Sequence, residues 1–263
     1  MHYFFKQIIS SFFTIMTNFI PSIHKEGYIY IIIAFIFTLI CSSISVNLTW
    51  VSGISTLYIM YFFRDPDRTT PTEKDLVISA ADGVVTAIEK AFPPEELDIE
   101  QKELIRISTF LSVFDVHVNR TPVSGTVIDT QYRSGKFINA SLDKASTDNE
   151  RQSSTILTDN KQKIVITQIA GLIAKRIICD YAMNDKVSCG DKFGIIKFGS
   201  RVDIYLPLNS EINVLKGQRV VGGETKLAQL KALSSSSQKA TKASSTTSSK
   251  TKTKKKASIS SDK

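Results

Sequence analysis

The sequence predicts an α+β, β-rich protein: a single strand-dominated domain preceded by an N-terminal hydrophobic membrane hairpin. Three observations carry that reading. Residues 27–63 run for 37 positions without a charge. After residue 72 the apolar residues alternate with polar ones between Gly, Asp and Pro turns, the period of strands. After Leu233 almost nothing apolar remains. The chain therefore divides into an apolar N-terminal segment (1–26), the hairpin (27–63), the strand-rich domain (72–230) and a Lys/Ser/Thr tail (231–263).

In the first segment Phe4, Ile8, Phe12, Met16 and Phe19 recur at helical spacing, with Lys6 the lone charge among the first 22 residues. Such a stretch lies along a membrane surface or packs on the hairpin. It lacks the small-residue cleavage site of a secretory signal, and a second apolar block comes at once. One membrane span needs about 20 residues, so 37 uncharged positions suit two short spans better than one. Asn47 and Ser52-Gly53 offer the break. Lys25 stands at one outer end and Arg64 and Arg68 at the other, with no base at the break, which places both ends in the cytoplasm.

RDPDRTTP (64–71) is a polar link. Residues 76–90 read as strand, Asp82-Gly83 turn and strand, and residues 104–112 and 125–132 read as further strands. Residues 154–157 and 163–169 flank Asp159-Asn160 as a hairpin. Residues 172–181 fit a short helix or a strand equally. The tail from 231 holds nine lysines and one acid, Asp262, so the formal charge of +8 belongs to it and residues 1–230 are neutral overall. A nucleic-acid partner is not expected of a body without net positive charge. The tail is expected to be disordered, and it suits either anionic headgroups or plain solvent. Cys41, Cys179 and Cys189 form neither a disulfide framework nor metal-ligand spacing, and two of the three histidines, His2 and His24, lie near the N-terminus. No metal is expected.

The chemistry concentrates in KFGIIKFGSRVDIYLP (192–207). Two strand-like runs meet at Gly199-Ser200, which by itself reads as a turn. In the body one histidine is available as a base, His117 in FDVHVNRTPVSG. Asp82 in SAADGVV is by itself a turn residue, and Asp115 shares a face with His117 if that segment is a strand.

Three motifs stand in a fixed order, ADG, FDVHVNRTPVSG and FGSRVDIYLP, with QIAGLIAKRI between the last two and Asn149-Glu150-Arg151 before it. Together they resemble the short, membrane-associated phosphatidylserine decarboxylases, over residues 27–230. The resemblance implies that the chain cuts itself between Gly199 and Ser200 and that Ser200 becomes a covalent pyruvoyl group. Joined to a substrate amine as a Schiff base, such a ketone accepts the electrons released on decarboxylation of phosphatidylserine to phosphatidylethanolamine. The implied roles are base for His117, orientation of that base for Asp82 or Asp115, and substrate binding for Arg120 or Arg201. Long-form relatives carry a histidine where this chain has Arg120, which leaves His117 to serve cleavage, decarboxylation or both.

The same resemblance implies two chains (1–199 and 200–263) at the cytoplasmic face of the inner membrane. The oligomeric state stays open, a homo-oligomer included. Two other classes compete: a non-catalytic lipoyl- or carrier-type β-barrel module anchored to the membrane, suggested by SAADGVVTAIEK and VLKGQRVVGGETKLAQL, and a membrane-anchored structural protein. The hairpin is expected to govern access to lipid, so deletion of residues 1–63 should leave self-cleavage intact.

Overall fold

The computed structural model describes residues 22–138, 140, 148–171, 176–197 and 199–231. The helical stripe expected in the first 21 residues and nearly all of the lysine tail lie outside the described residues. Two apolar helices come first, α1 (Tyr28–Ser42) and α2 (Val46–Phe62), joined by residues 43–45 and packed on one another. Their Ile, Phe, Leu and Trp side chains point outward, Trp50 at 70% exposure, a pattern opposite to that of a soluble core. Three of their hydroxyls turn inward: Ser52 donates to Leu48 O (2.7 Å), Thr56 to Ser52 O (2.9 Å), and Thr38 meets Thr56 across the pair at 3.0 Å. These bonds hide polar groups that an apolar surrounding would penalise. The stretch Lys25–Ser42 is long and apolar enough to cross a membrane.

The body is strand-dominated, as expected. Its main sheet has eight strands, all antiparallel, in the order Lys186–Val187, Gly125–Arg133, Arg151–Leu157, Lys163–Ala170, Ser200–Leu206, Leu104–Leu111, Gly83–Ala91 and Arg219–Val220. Ile177–Cys179, Lys192–Ile196 and Val118–Arg120 form a second sheet, and Glu211–Ile212, Lys226–Gln229 and Leu76–Ile78 a third. Val85, Ile107, Leu111, Ile156, Ile166, Val202 and Ile204 lead one buried cluster between them.

Several sequence expectations hold in the fold. The 154–169 hairpin is present as Arg151–Leu157 against Lys163–Ala170. Between residues 172 and 181 the described part is a strand, Ile177–Cys179. One expectation needs correcting. Leu76–Ile78 and Gly83–Ala91 do not pair with each other: the first joins Lys226–Gln229 and the second Leu104–Leu111. Asp82-Gly83 is thus a crossing between sheets, and Gly83 is required because a Cβ there would strike the Phe110 carbonyl.

Gly199-Ser200 is likewise a passage between sheets. Lys192–Ile196 belongs to the second sheet and Ser200–Leu206 to the centre of the first, paired on both edges, with Ser200 opposite Leu111 and Ala170. Ile204 is buried in the middle of that strand, so Ile204→Ala should cost about 2–5 kcal/mol. Urea unfolding of the detergent-solubilised chain measures it, and a loss under about 1 kcal/mol would remove the strand from the core.

Candidate active site

The site assembles where the two sheets hand the chain over. Gly199 turns it with φ of +64°, a left-handed conformation that glycine adopts without a Cβ penalty. Space is not the reason for glycine here, since the nearest atom to an added Cβ would be Val113 Cγ1 at 3.9 Å. Its carbonyl oxygen, in contrast, lies directly over Gly171, where any Cβ would collide with it. Ser200 follows as the first residue of the central strand, fully buried, and its Oγ meets no hydrogen-bond partner among the described residues. Buried hydroxyls are normally satisfied; Ser108, Thr155 and Ser210 share this condition, and Ser200 differs from them in following Gly199 at the crossing between sheets.

His117 stands beside this junction. Its Nδ1 lies 2.9 Å from the Asp115 carbonyl oxygen, and its Nε2 lies 3.3 Å from the Gly199 amide nitrogen. A carbonyl only accepts and an amide N–H only donates, so Nδ1 carries the proton and Nε2 presents its lone pair. The ring is 0% exposed and packs on Phe62, centroid to centroid 4.3 Å. Burial pushes the imidazole down to about 4, with the Asp115 carbonyl and carboxylate opposing and Arg64 assisting. At neutral pH it is a neutral base.

The two carboxylates expected to orient that base sit otherwise. Asp82 accepts from Arg68 at 2.8 Å and from the Gly222 amide at 2.8 Å, and it has no hydrogen bond to His117; burial raises its carboxyl above the usual range, against the pull of Arg68. Asp115 reaches the imidazole through its main-chain carbonyl. Its carboxylate caps the Ser112 amide (2.8 Å) and pairs with Arg219. Orientation of the base is therefore a backbone function here.

Both arginines expected to hold substrate are engaged within the chain. Arg120 is buried, donating to Gly190 O (3.1 Å), Pro66 O (2.9 Å) and Asp65 (3.4 Å), and Lys192 reaches the same aspartate at 2.5 Å. Arg201 is buried with Asp203 (3.0 Å) and Ala140 O (3.1 Å). Strand alternation sends it to the face opposite Ser200. Sequence reasoning passed over Lys197, whose buried Nζ meets Glu26 at 3.1 Å and Tyr30 Oη at 3.4 Å. It also passed over Phe62 and Gly171. The only signal for Phe62 was the end of the uncharged run, and for Gly171 its place in the QIAGLIAKRI motif.

The profile of the phosphatidylserine decarboxylase family matches residues 56–228, which includes every one of these site residues except Glu26 and Tyr30. The chain belongs to the phosphatidylserine decarboxylase family. Relatives named phosphatidylserine decarboxylase proenzyme occur in Rickettsia akari, 51% identical over 206 residues, and in Rickettsia typhi and Rickettsia prowazekii, each 50% identical. The matches cover 78% of this chain and 89% of each relative. Within this decarboxylase the structure brings His117 Nε2 to 3.3 Å from the amide of Gly199, the residue before Ser200.

The geometry has two testable outcomes. If the chain is cut at Gly199-Ser200, Gly171→Ala should leave a folded chain that stays largely uncut there, because the carbonyl must leave its place; normal cutting, read by intact mass, would show that the approach is not required. If His117 is the base, cutting should hold its rate as pH falls through 6.5, where an unperturbed histidine titrates, and decline only toward about 4. The sign is that of a depressed pKa: the unfolded chain takes up the proton first, so the contribution of His117 to stability also shrinks between those values as pH falls. A midpoint near 6.5 would mean that the ring is solvated during the reaction.

Proposed function

We propose that this decarboxylase cuts its own chain between Gly199 and Ser200, converts Ser200 to a pyruvoyl group and uses it to turn phosphatidylserine into phosphatidylethanolamine. The observation that carries the reading is the neutral His117, whose Nε2 lone pair faces the Gly199 amide at 3.3 Å, next to a buried Ser200 whose Oγ has no partner among the described residues. The word proenzyme in the relatives' names agrees with a chain that matures by cleavage.

The residues fit the making of such a group. Ser200 Oγ attacks the Gly199 carbonyl carbon and gives its proton to His117 Nε2; the C–N bond breaks, and the proton passes to the departing nitrogen, leaving an ester in place of the peptide. Gly199 permits the bend, and Gly171 leaves room for the carbonyl oxygen. Removal of the Ser200 α-proton then expels the Gly199 carboxylate. Hydrolysis of the resulting dehydroalanine releases ammonia and leaves the ketone at position 200. A ketone held at position 200 would supply an electron sink for decarboxylation of an amine-bearing substrate. The chain's own part is to hold position 200 at the head of a strand bonded on both edges, buried from water, with His117 beside it to carry a proton.

The helix pair is proposed to be a membrane hairpin with both ends on the cytoplasmic face of the inner membrane. Its outward Ile, Phe and Trp side chains and the bases Lys25, Arg64 and Arg68 at its open end support that placement. A diacyl substrate then meets the site without leaving the bilayer, where each CH₂ withdrawn would cost about 0.8 kcal/mol.

Intact mass of the denatured protein tests the reading. The wild type should give two species divided between 199 and 200, the shorter of which gains one aminooxy probe on its ketone. Ser200→Ala should stay whole and lose phosphatidylserine decarboxylation by about 10³-fold or more, while Ser200→Cys should cut slowly through a thioester. Uncut Ser200→Ala with wild-type turnover would sink the pyruvoyl mechanism.

A further inference from the structure

The contacts of the helix pair reach further than an anchor requires. Phe62 and Phe63 close α2, both fully buried, with their rings 5.0 Å apart. Phe62 packs on the imidazole of His117 at 4.3 Å, and Phe63 stacks on Tyr30 of α1 at 5.3 Å. Just before and after them, Tyr58 donates to Val113 O (3.1 Å) and Arg64 to Phe114 O (2.8 Å), gripping the loop that leads into His117. On the opposite arm, Lys197 stands two residues before Gly199 and is held by Glu26 and Tyr30. The two segments that must meet for cleavage, 112–117 and 197–199, are thus each fastened to the N-terminal helices.

We propose that the helix pair is a working part of the self-processing centre, in which Phe62 is a positioning residue for His117 and Glu26 with Tyr30 positions the segment bearing the scissile bond. The inference rests on the reading of Gly199-Ser200 as the cleavage site. It makes maturation conditional on seating of the helices against the body, so a chain whose helices are misplaced stays a precursor. It also reverses the expectation that residues 1–63 can be deleted without effect on cutting, because that deletion removes Glu26, Tyr30, Phe62 and Phe63.

Phe62 has a second effect that a passive filler would lack. It covers one face of the imidazole, and the charged groups acting on that ring are the Asp115 carboxylate and Arg64. Opening that face admits water, which favours the imidazolium, so the pH at which cutting fails should rise when Phe62 is shortened.

The experiment follows full-length precursor made by cell-free synthesis with phosphatidylcholine–phosphatidylglycerol vesicles, with cutting timed by intact mass across pH. Phe62→Leu should slow cutting about threefold and Phe62→Ala about tenfold, and both should move the midpoint upward from about 4 toward 6.5. Glu26→Gln, at a partly exposed position, should slow cutting about threefold with no change in midpoint. If Phe62→Ala does not fold, Phe62→Leu carries both readouts. Wild-type rate and midpoint in a folded Phe62 variant would overturn the role of Phe62, and a wild-type rate in Glu26→Gln would overturn that of the second arm. Ser200→Ala, run alongside, keeps the two readings apart: if it is cut, the cleavage site itself is wrong, whereas if it stays whole while the Phe62 variants mature normally, the positioning inference alone fails.

Discussion

The position of one imidazole governs the rest of this structure. His117 is fixed by three unlike partners, the Asp115 carbonyl at Nδ1, the Gly199 amide at Nε2 and the Phe62 ring on its face. The first sets the tautomer, the second points the lone pair at the junction, and the third keeps water away. Each belongs to a different part of the chain, so no local segment could build the site alone. The 112–117 loop, the end of α2 and the passage from the second sheet to the first must all be in register before the base is placed.

The charged residues around the site answer a different need. Asp65 joins Arg120 and Lys192, and Asp82 joins Arg68, at the foot of the helix pair. Lys192 apart, these side chains are largely buried, and breaking a buried member would strand its partner's charge, the costly kind of loss. They therefore behave as a fastening between the 64–68 link and the body. Arg120 stands in the motif where long-form relatives place a histidine, and here its guanidinium is bonded to two carbonyls and a carboxylate. Under the proposed cleavage, that leaves acid–base chemistry at the junction to His117.

Much of this was legible because it is local. The patterns in 104–112, 125–132, 154–157 and 163–169 mark strands, and glycine before serine between two apolar runs marks a bend. The illegible part depends on which surfaces meet. Asp82-Gly83 carries a hairpin signal, yet its flanking strands join different sheets, and turn chemistry cannot say where a strand goes next. Arg201 looks available beside Ser200, but the strand is central and buried on both faces, so alternation turns the guanidinium into Asp203 instead of toward solvent. Phe62 is one apolar residue among 37 uncharged positions, and only the fold distinguishes the one that touches the base.

The placement of the junction also determines how the two ends behave once the chain is cut. Ser200 opens a strand that is paired along its length to Leu104–Leu111 on one side and to Lys163–Ala170 on the other. Severing the chain before it breaks none of those ladders, so under the proposed cleavage the 200–263 piece stays in the main sheet and its new end is held opposite Leu111 and Ala170. The other end is fixed differently. Lys197 and Gly199 belong to no strand; Lys197 is held by its amide to Arg176 O and by its side chain to Glu26 and Tyr30, and Gly199 by its amide to His117. Cleavage thus separates an end locked in a sheet from one tied at a side chain and two amides. Under the same proposal the locked end is the one that needs constant geometry for chemistry, and the loosely tied one is fastened to the N-terminal helices through Glu26 and Tyr30.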